Sequence, residues 1–231
     1  MKRFYKEVAV AEVPGGWQVM LDGRGIKSMK GAPQVLPSRA LADALASEWA
    51  GQGEDIHPAA FRFRDQADFA IDIVAADPAA AIDTLLGFAE TDTLCYRADP
   101  DEPLYARQQA EWEPLLSTLE LRVSVSFTRV SGIMHRPQPP ATLDRLRERL
   151  GALDHFALAG LQAAASLAAS LTVALLALEQ AADSGVLWRA ASLEEEWQAE
   201  QWGRDPQAEE HRARKHADFL AACEWMRLLR A

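Results

Sequence analysis

The stretch FALAGLQAAASLAASLTVALLAL, Phe156–Leu178, runs 23 residues without a charge, long enough to cross a bilayer. Whether it does so decides the fold. It is rich in alanine and carries Gln162, Ser166, Ser170 and Thr172. Its large residues Leu161, Leu167, Leu171, Leu175 and Leu178 fall at roughly helical spacing on one side, with small residues elsewhere. Such a helix packs closely on all sides, as the central helix of a bundle does. The expectation is a buried core helix over 154–181, with no stable membrane insertion. The competing reading, a membrane-anchored scaffold, predicts a protein that stays in the pellet.

Working outward, the neighbours also read as helices: about 141–150 with Gly151 as C-cap, 185–202 with Gly203 as C-cap, and 206–229. Asp205 caps the last of these and Pro206 occupies its first position. Upstream, Phe69, Ile73 and Val74 mark a short helix, and Asp77-Pro78 opens another that ends near Glu90. TDTLCYRADP reads as an irregular or extended crossing. Pro103 opens a helix through Trp112 that Pro114 should kink or break. LRVSVSFTRV, Leu121–Val130, alternates cleanly and is a strand candidate to rejoin the N-terminal sheet.

The first sixty residues have a different period. RFYKEVAVAEV alternates, PGG turns, and Trp17, Val19 and Leu21 share one face of the next strand. DGRG, carrying Asp22, Gly23 and Arg24, turns again, so a small antiparallel meander is expected. Ser38 then caps a helix through Trp49, with Leu41, Leu45 and Trp49 in one row. The fold class is α+β: a β-rich N-terminal domain, 1–60, and a larger helical C-terminal domain, 61–231.

A net charge of −10 and a pI near 5.0 repel nucleic-acid phosphates and anionic membranes and favour basic partner surfaces. Cys95 and Cys223 are far apart and lack metal or redox spacing, so packed thiols are expected. The first residues have no apolar leader core, which points to the cytoplasm. The five histidines are dispersed; His211 and His216 lie five apart, on different faces of a helix. LDGRGIK lies between strands and does not open a helix, so it meets neither phosphate-binding fingerprint. No serine sits in a nucleophile elbow. No metal site, cofactor or catalytic residue is expected. A small hydrolase or transferase using paired carboxylates stays open as the alternative, because such pairs exist only in three dimensions.

LEEEWQAEQWGRD, Leu193–Asp205, is the most unusual composition. Leu193–Glu210 holds seven acids against one base, Arg204. On one continuous helix Trp188, Ala191, Glu195, Gln198 and Trp202 would share a face, with Leu193 and Trp197 on another. Two readings stand. Glu195 is half-buried and hydrogen-bonded within the fold, or the face is open and offers a carboxylate with aromatic flanks to a partner. Glu196 and Glu200 repel each other and suit an exposed face. The other acid–aromatic neighbours, Glu48 and Trp49, read as core packing.

Taken in order, RFYKEV, LDGRGIK, EWAGQGEDIHP, DTLCYRA, RQQAEWEPLL and LEEEWQAEQWGRD resemble a known family. It is the assembly chaperones of the F-type ATP synthase catalytic head, found in mitochondria and alphaproteobacteria. This chain departs from the family pattern at Gly25, Ser28, Met29 and Gln207. The resemblance implies a chaperone, not an enzyme, that binds the unassembled α subunit and is a monomer when free. In eukaryotic relatives it would act in the mitochondrial matrix. It also places the family's essential glutamate on LEEEW, with Glu195 first and Glu194, Glu196, Trp197, Gln198 and Trp202 around it.

Overall fold

Two-residue turns fold the N-terminal stretch back on itself. The computed structural model describes residues 1–132 and 134–230. Strands β1 (Val8–Val13) and β2 (Gly16–Leu21) pair antiparallel across Pro14-Gly15, and β3 (Arg24–Gly25) returns across Asp22-Gly23. Asp22 and Gly23 both have positive φ, +46° and +77°, the turn whose twist matches the flanking strands. The Asp22 carboxylate accepts from the Lys6 and Glu7 amides at 3.0 and 2.8 Å, fixing the chain ahead of β1. Strand β4 (Val35–Leu36) pairs with the start of β2. There Gly16 has φ +151°, and a Cβ would strike the Leu36 carbonyl oxygen, so only glycine fits.

Helix α1 (Arg39–Ala50) buries Leu41, Ala42, Leu45 and Trp49. Ser38 Oγ accepts from the Leu41 amide at 3.1 Å and donates to the Leu228 carbonyl at 2.6 Å, so one hydroxyl caps the helix and ties it to the chain's far end. Glu48 caps from a distance: its carboxylate takes the Arg62, Phe63 and Arg64 amides at 2.8, 2.8 and 3.0 Å, the orphan donors of α2 (Arg62–Phe69). Trp49 packs at 4.6 Å from Phe61, and its carbonyl accepts from Tyr5 Oη at 2.7 Å. A wide turn, Ala70–Val74, extends α2 and leads to α3 (Pro78–Glu90), which Asp77 caps at 3.0 Å. A short turn at Thr93–Cys95 precedes β5 (Tyr96–Arg97).

Helix α4 (Pro103–Val123) continues through Pro114 without the break that was one of the two expected outcomes. A helix-interior proline costs about 3 kcal/mol. Here Trp112, Leu115, Leu116 and Leu119 are all buried around it, at about 1.5–3 kcal/mol each, so packing wins. The candidate strand 121–130 also differs. Leu121–Val123 finish α4, and only β6 (Val130–Ser131) is a strand, parallel to β5 and separate from the N-terminal sheet. The alternation reflected burial of Val123 and Phe127 without a ladder. Side chains serve the backbone instead: Ser126, Phe127 and Thr128 amides donate to Thr142, Glu120 and Gln138.

Helix α5 (Pro140–Gly151) runs through Gly151, one residue past the expected end. The predicted long helix 154–181 is two, α6 (His155–Ala168) and α7 (Leu171–Leu178), joined at Ala169 with φ +49°. The cause is tertiary. Buried Asp92 accepts from Ser170 Oγ at 2.7 Å and from the Thr172 and Leu94 amides at 2.8 and 3.1 Å. This network fits only if the helix stops and restarts. Every residue of α7 is buried, and among the described residues no helix is long and apolar enough to cross a membrane. Gly160 on α6 lets α10 (Pro206–Leu228) approach, since a Cβ there would meet Trp225 and Met226.

The predicted helix 185–202 also divides at Ser192, into α8 (Ser184–Ala191) and α9 (Leu193–Trp202). Among the described residues, one hydrophobic core runs from Tyr5 and Val19 in the strand-rich part to Trp225 and Leu228 in the last helix.

Candidate functional site

Helix α9 buries one residue, Leu193. The rest of it lies on the molecule's surface, held by polar side chains from α4 and α10. Because the chain turns at Ser192, Trp188 and Trp202 do not share a face as a continuous helix would require. Trp188 is buried, stacked on His216 and tilted against Phe219, while Trp202 is 80% exposed.

The acids of LEEEW differ sharply in their surroundings. Glu194 accepts from Gln108 Nε2 at 2.6 Å; desolvation raises its pKa, more than that hydrogen bond lowers it. Glu196 is gripped by Arg204 and by Arg212 Nη1, the latter at 2.6 Å. Glu200 pairs with Arg107 at 2.7 Å, and the same guanidinium lies 5.9 Å from the Trp197 ring centre. Glu195 is the loosest: Arg212 Nε is at 3.8 Å, Lys215 Nζ at 4.0 Å, and its side chain is 55% exposed. Both carboxylates lie at the surface, and of the two only Glu194 has a close side-chain hydrogen bond within the fold.

Glu195, Gln198 and Trp202, at i, i+3 and i+7, form one wall of a groove of about 290 Å³ between α9 and α10. His211 and Arg212 form the other wall. A larger groove of about 770 Å³ lies on the other side of α9, where Arg107, Val186, Arg189, Glu196 and Glu200 meet. Both are open grooves lined by a mixture of apolar and charged side chains. Glu113 and Glu120 converge on Arg129, and Arg97 takes Glu113 as well, an arrangement that balances charge. Among the described residues no group of three or more His, Cys, Asp or Glu could hold a metal ion.

Nothing local in the sequence linked Arg107, Gln108, Arg212 and Lys215 to the acidic helix they tune. Gln108 is 86 residues from Glu194, and Arg107 is 93 from Glu200. Of the remaining candidates, Glu48 caps α2, while Asp22, Arg24 and Trp49 line a separate cavity beside the N-terminal sheet.

A family model described as ATP12 chaperone protein matches residues 2–120. The protein named "Protein atp12, mitochondrial" from Schizosaccharomyces pombe is 27% identical over 214 residues, 87% of this chain and 74% of that protein. The crystal structure of Atp12 from Paracoccus denitrificans matches with a TM-score of 0.93 and 33% identity, covering 99% of this chain and 98% of that one. The Atu1473 protein of Agrobacterium tumefaciens matches with a TM-score of 0.94 and 39% identity, covering 99% and 86%. The family match ends before α9, whereas the structural matches cover nearly the whole chain.

Proposed function

This chain belongs to the ATP12 chaperone protein family, and from that premise we propose that it binds the unassembled α subunit of the F-type ATP synthase catalytic head. It shields the surface that later meets β and transforms no small molecule. An isolated subunit exposes apolar area that invites aggregation, and a folded cover prevents this until the proper neighbour displaces it. The observation that carries the reading is the groove wall of Glu195, Gln198 and Trp202. It combines an indole 80% in solvent with the carboxylate of α9 least engaged by its own chain. Exposed tryptophan beside an under-used charge is the composition of a binding hot spot. The indole supplies contact area, and Glu195 fixes the register against a basic residue of the client.

Glu194, Glu196 and Trp197 act in support, since their partners on α4 and α10 hold α9 in place. The test is co-purification of α subunit from extract by the wild-type chain, Glu195→Lys and Trp202→Ala. Wild type should retain α subunit, and both variants should lose most of it while melting as wild type does. Failure of the wild-type chain to retain α subunit overturns the reading.

A further inference from the structure

The acidic balance of the chain hides a basic end. Residues 1–36 carry six bases against three acids, a net of +3 within a protein of −10. On this part lies a cavity of about 550 Å³ with Phe4, Leu21, Ile26 and Trp49 as its apolar walls and Arg24 and Lys27 among its lining residues. Two features mark it.

Arginines elsewhere, such as Arg107, Arg129, Arg204 and Arg212, are paired with the chain's own carboxylates. Among the described residues, Arg24 and Lys27 make no such pair, and both are exposed. Asp22 also lines the cavity, with its Oδ1 committed to the Lys6 and Glu7 amides, so the lining carries two bases against one acid. Second, Phe4 is 64% exposed at the cavity although it packs edge-on against Tyr5 at 5.3 Å.

We propose that this cavity is a second docking site, which takes an extended polypeptide segment bearing an apolar side chain flanked by carboxylates. The apolar side chain lies against Phe4, Leu21 and Ile26. The carboxylates meet Arg24 and Lys27, beside the Trp49 ring. On the reading given above, the segment belongs to the client, which is then held at two separate places: a basic contact at α9 and an acidic one here. Two modest contacts on one client gain avidity that neither has alone.

The site can be tested without the client. The full-length protein, labelled with ¹⁵N, is titrated with acetyl-Glu-Asp-Phe-Glu-Asp-amide and, separately, with acetyl-Lys-Lys-Phe-Lys-Lys-amide. The acidic peptide should move the Trp49 indole resonance saturably, and the basic one should not. Added salt should weaken the effect, as charge pairing at an exposed rim requires. Arg24→Glu/Lys27→Glu should weaken binding by roughly tenfold or more, while Trp202→Ala leaves it unchanged. An unmoved Trp49 resonance, equal binding of both peptides, or a double variant that binds as wild type overturns the proposal. Because the α9 variants are scored separately, each of those results leaves the α9 reading standing.

Discussion

Leu193→Ala should release α9 without unfolding the protein. Leu193 is the single buried residue of that helix, 1% exposed. Truncating a buried leucine to alanine costs about 2–5 kcal/mol, least where the site can collapse. At the edge of the core, beside open grooves, the low end applies, about 2–3 kcal/mol. The remaining attachments include Glu194 to Gln108, Glu195 to Arg212 and Lys215, Glu196 to Arg204 and Arg212, and Arg107 to Glu200 and the Trp197 ring. Pairs of this kind contribute about 0–1 kcal/mol each, so no single one replaces the leucine. The core residues of α6 and α7 do not contact α9 through polar bonds and keep their packing. The loss is therefore local, and a foldon boundary is expected at Ser192. Hydrogen exchange followed by mass spectrometry measures this directly. Amides of residues 194–202 should exchange roughly 30- to 150-fold faster, the equivalent of about 2–3 kcal/mol, while those of Leu171–Leu178 stay protected. A uniform acceleration across the chain, or none in 194–202, would refute the view that one leucine latches this helix.

Other outcomes follow from the same geometry. Asp92→Ala strands the Leu94 and Thr172 amides and the Ser170 hydroxyl in the core, so thermal denaturation should show a loss of at least about 3 kcal/mol at roughly 1–3 kcal/mol per unmatched donor. Burial pushes the Glu113 carboxyl up, but hydrogen bonds from Arg129 and Arg97 outweigh it and leave the pKa below the ordinary value. The folded state then binds fewer protons than the unfolded one. Glu113's contribution is present above the unfolded pKa of about 4.3 and is lost as pH falls through the lower folded value. The stability difference between wild type and Glu113→Gln should shrink on acidification, and a difference that grows below pH ~4 would contradict the assignment. Burial raises both thiols, Cys223 to about 12 and Cys95 further, and both are free. Neither should react with a thiol reagent at neutral pH until denaturant is added.

The sequence by itself determined whatever is decided within about four residues of chain. Ser38, Asp77 and Asp205 were legible as caps because a capping oxygen reaches an amide two or three positions ahead. The Asp22-Gly23 turn was legible because few residues tolerate positive φ. The strand-rich start, the helical remainder and the family resemblance rest on many such signals in order. Tertiary structure decided the rest. Asp92 divides the helix at Ala169 from 78 residues away. Core burial carries α4 through Pro114, and side-chain acceptors keep 124–129 from needing a strand partner. The acidic helix shows the difference most clearly. Composition marked Leu193–Glu210 as negative, but which carboxylate stays available depends on where Arg107, Arg204, Arg212 and Lys215 come to rest. Charges attract through space and not along the chain, so neutralisation by residues tens of positions away leaves no local trace in the sequence.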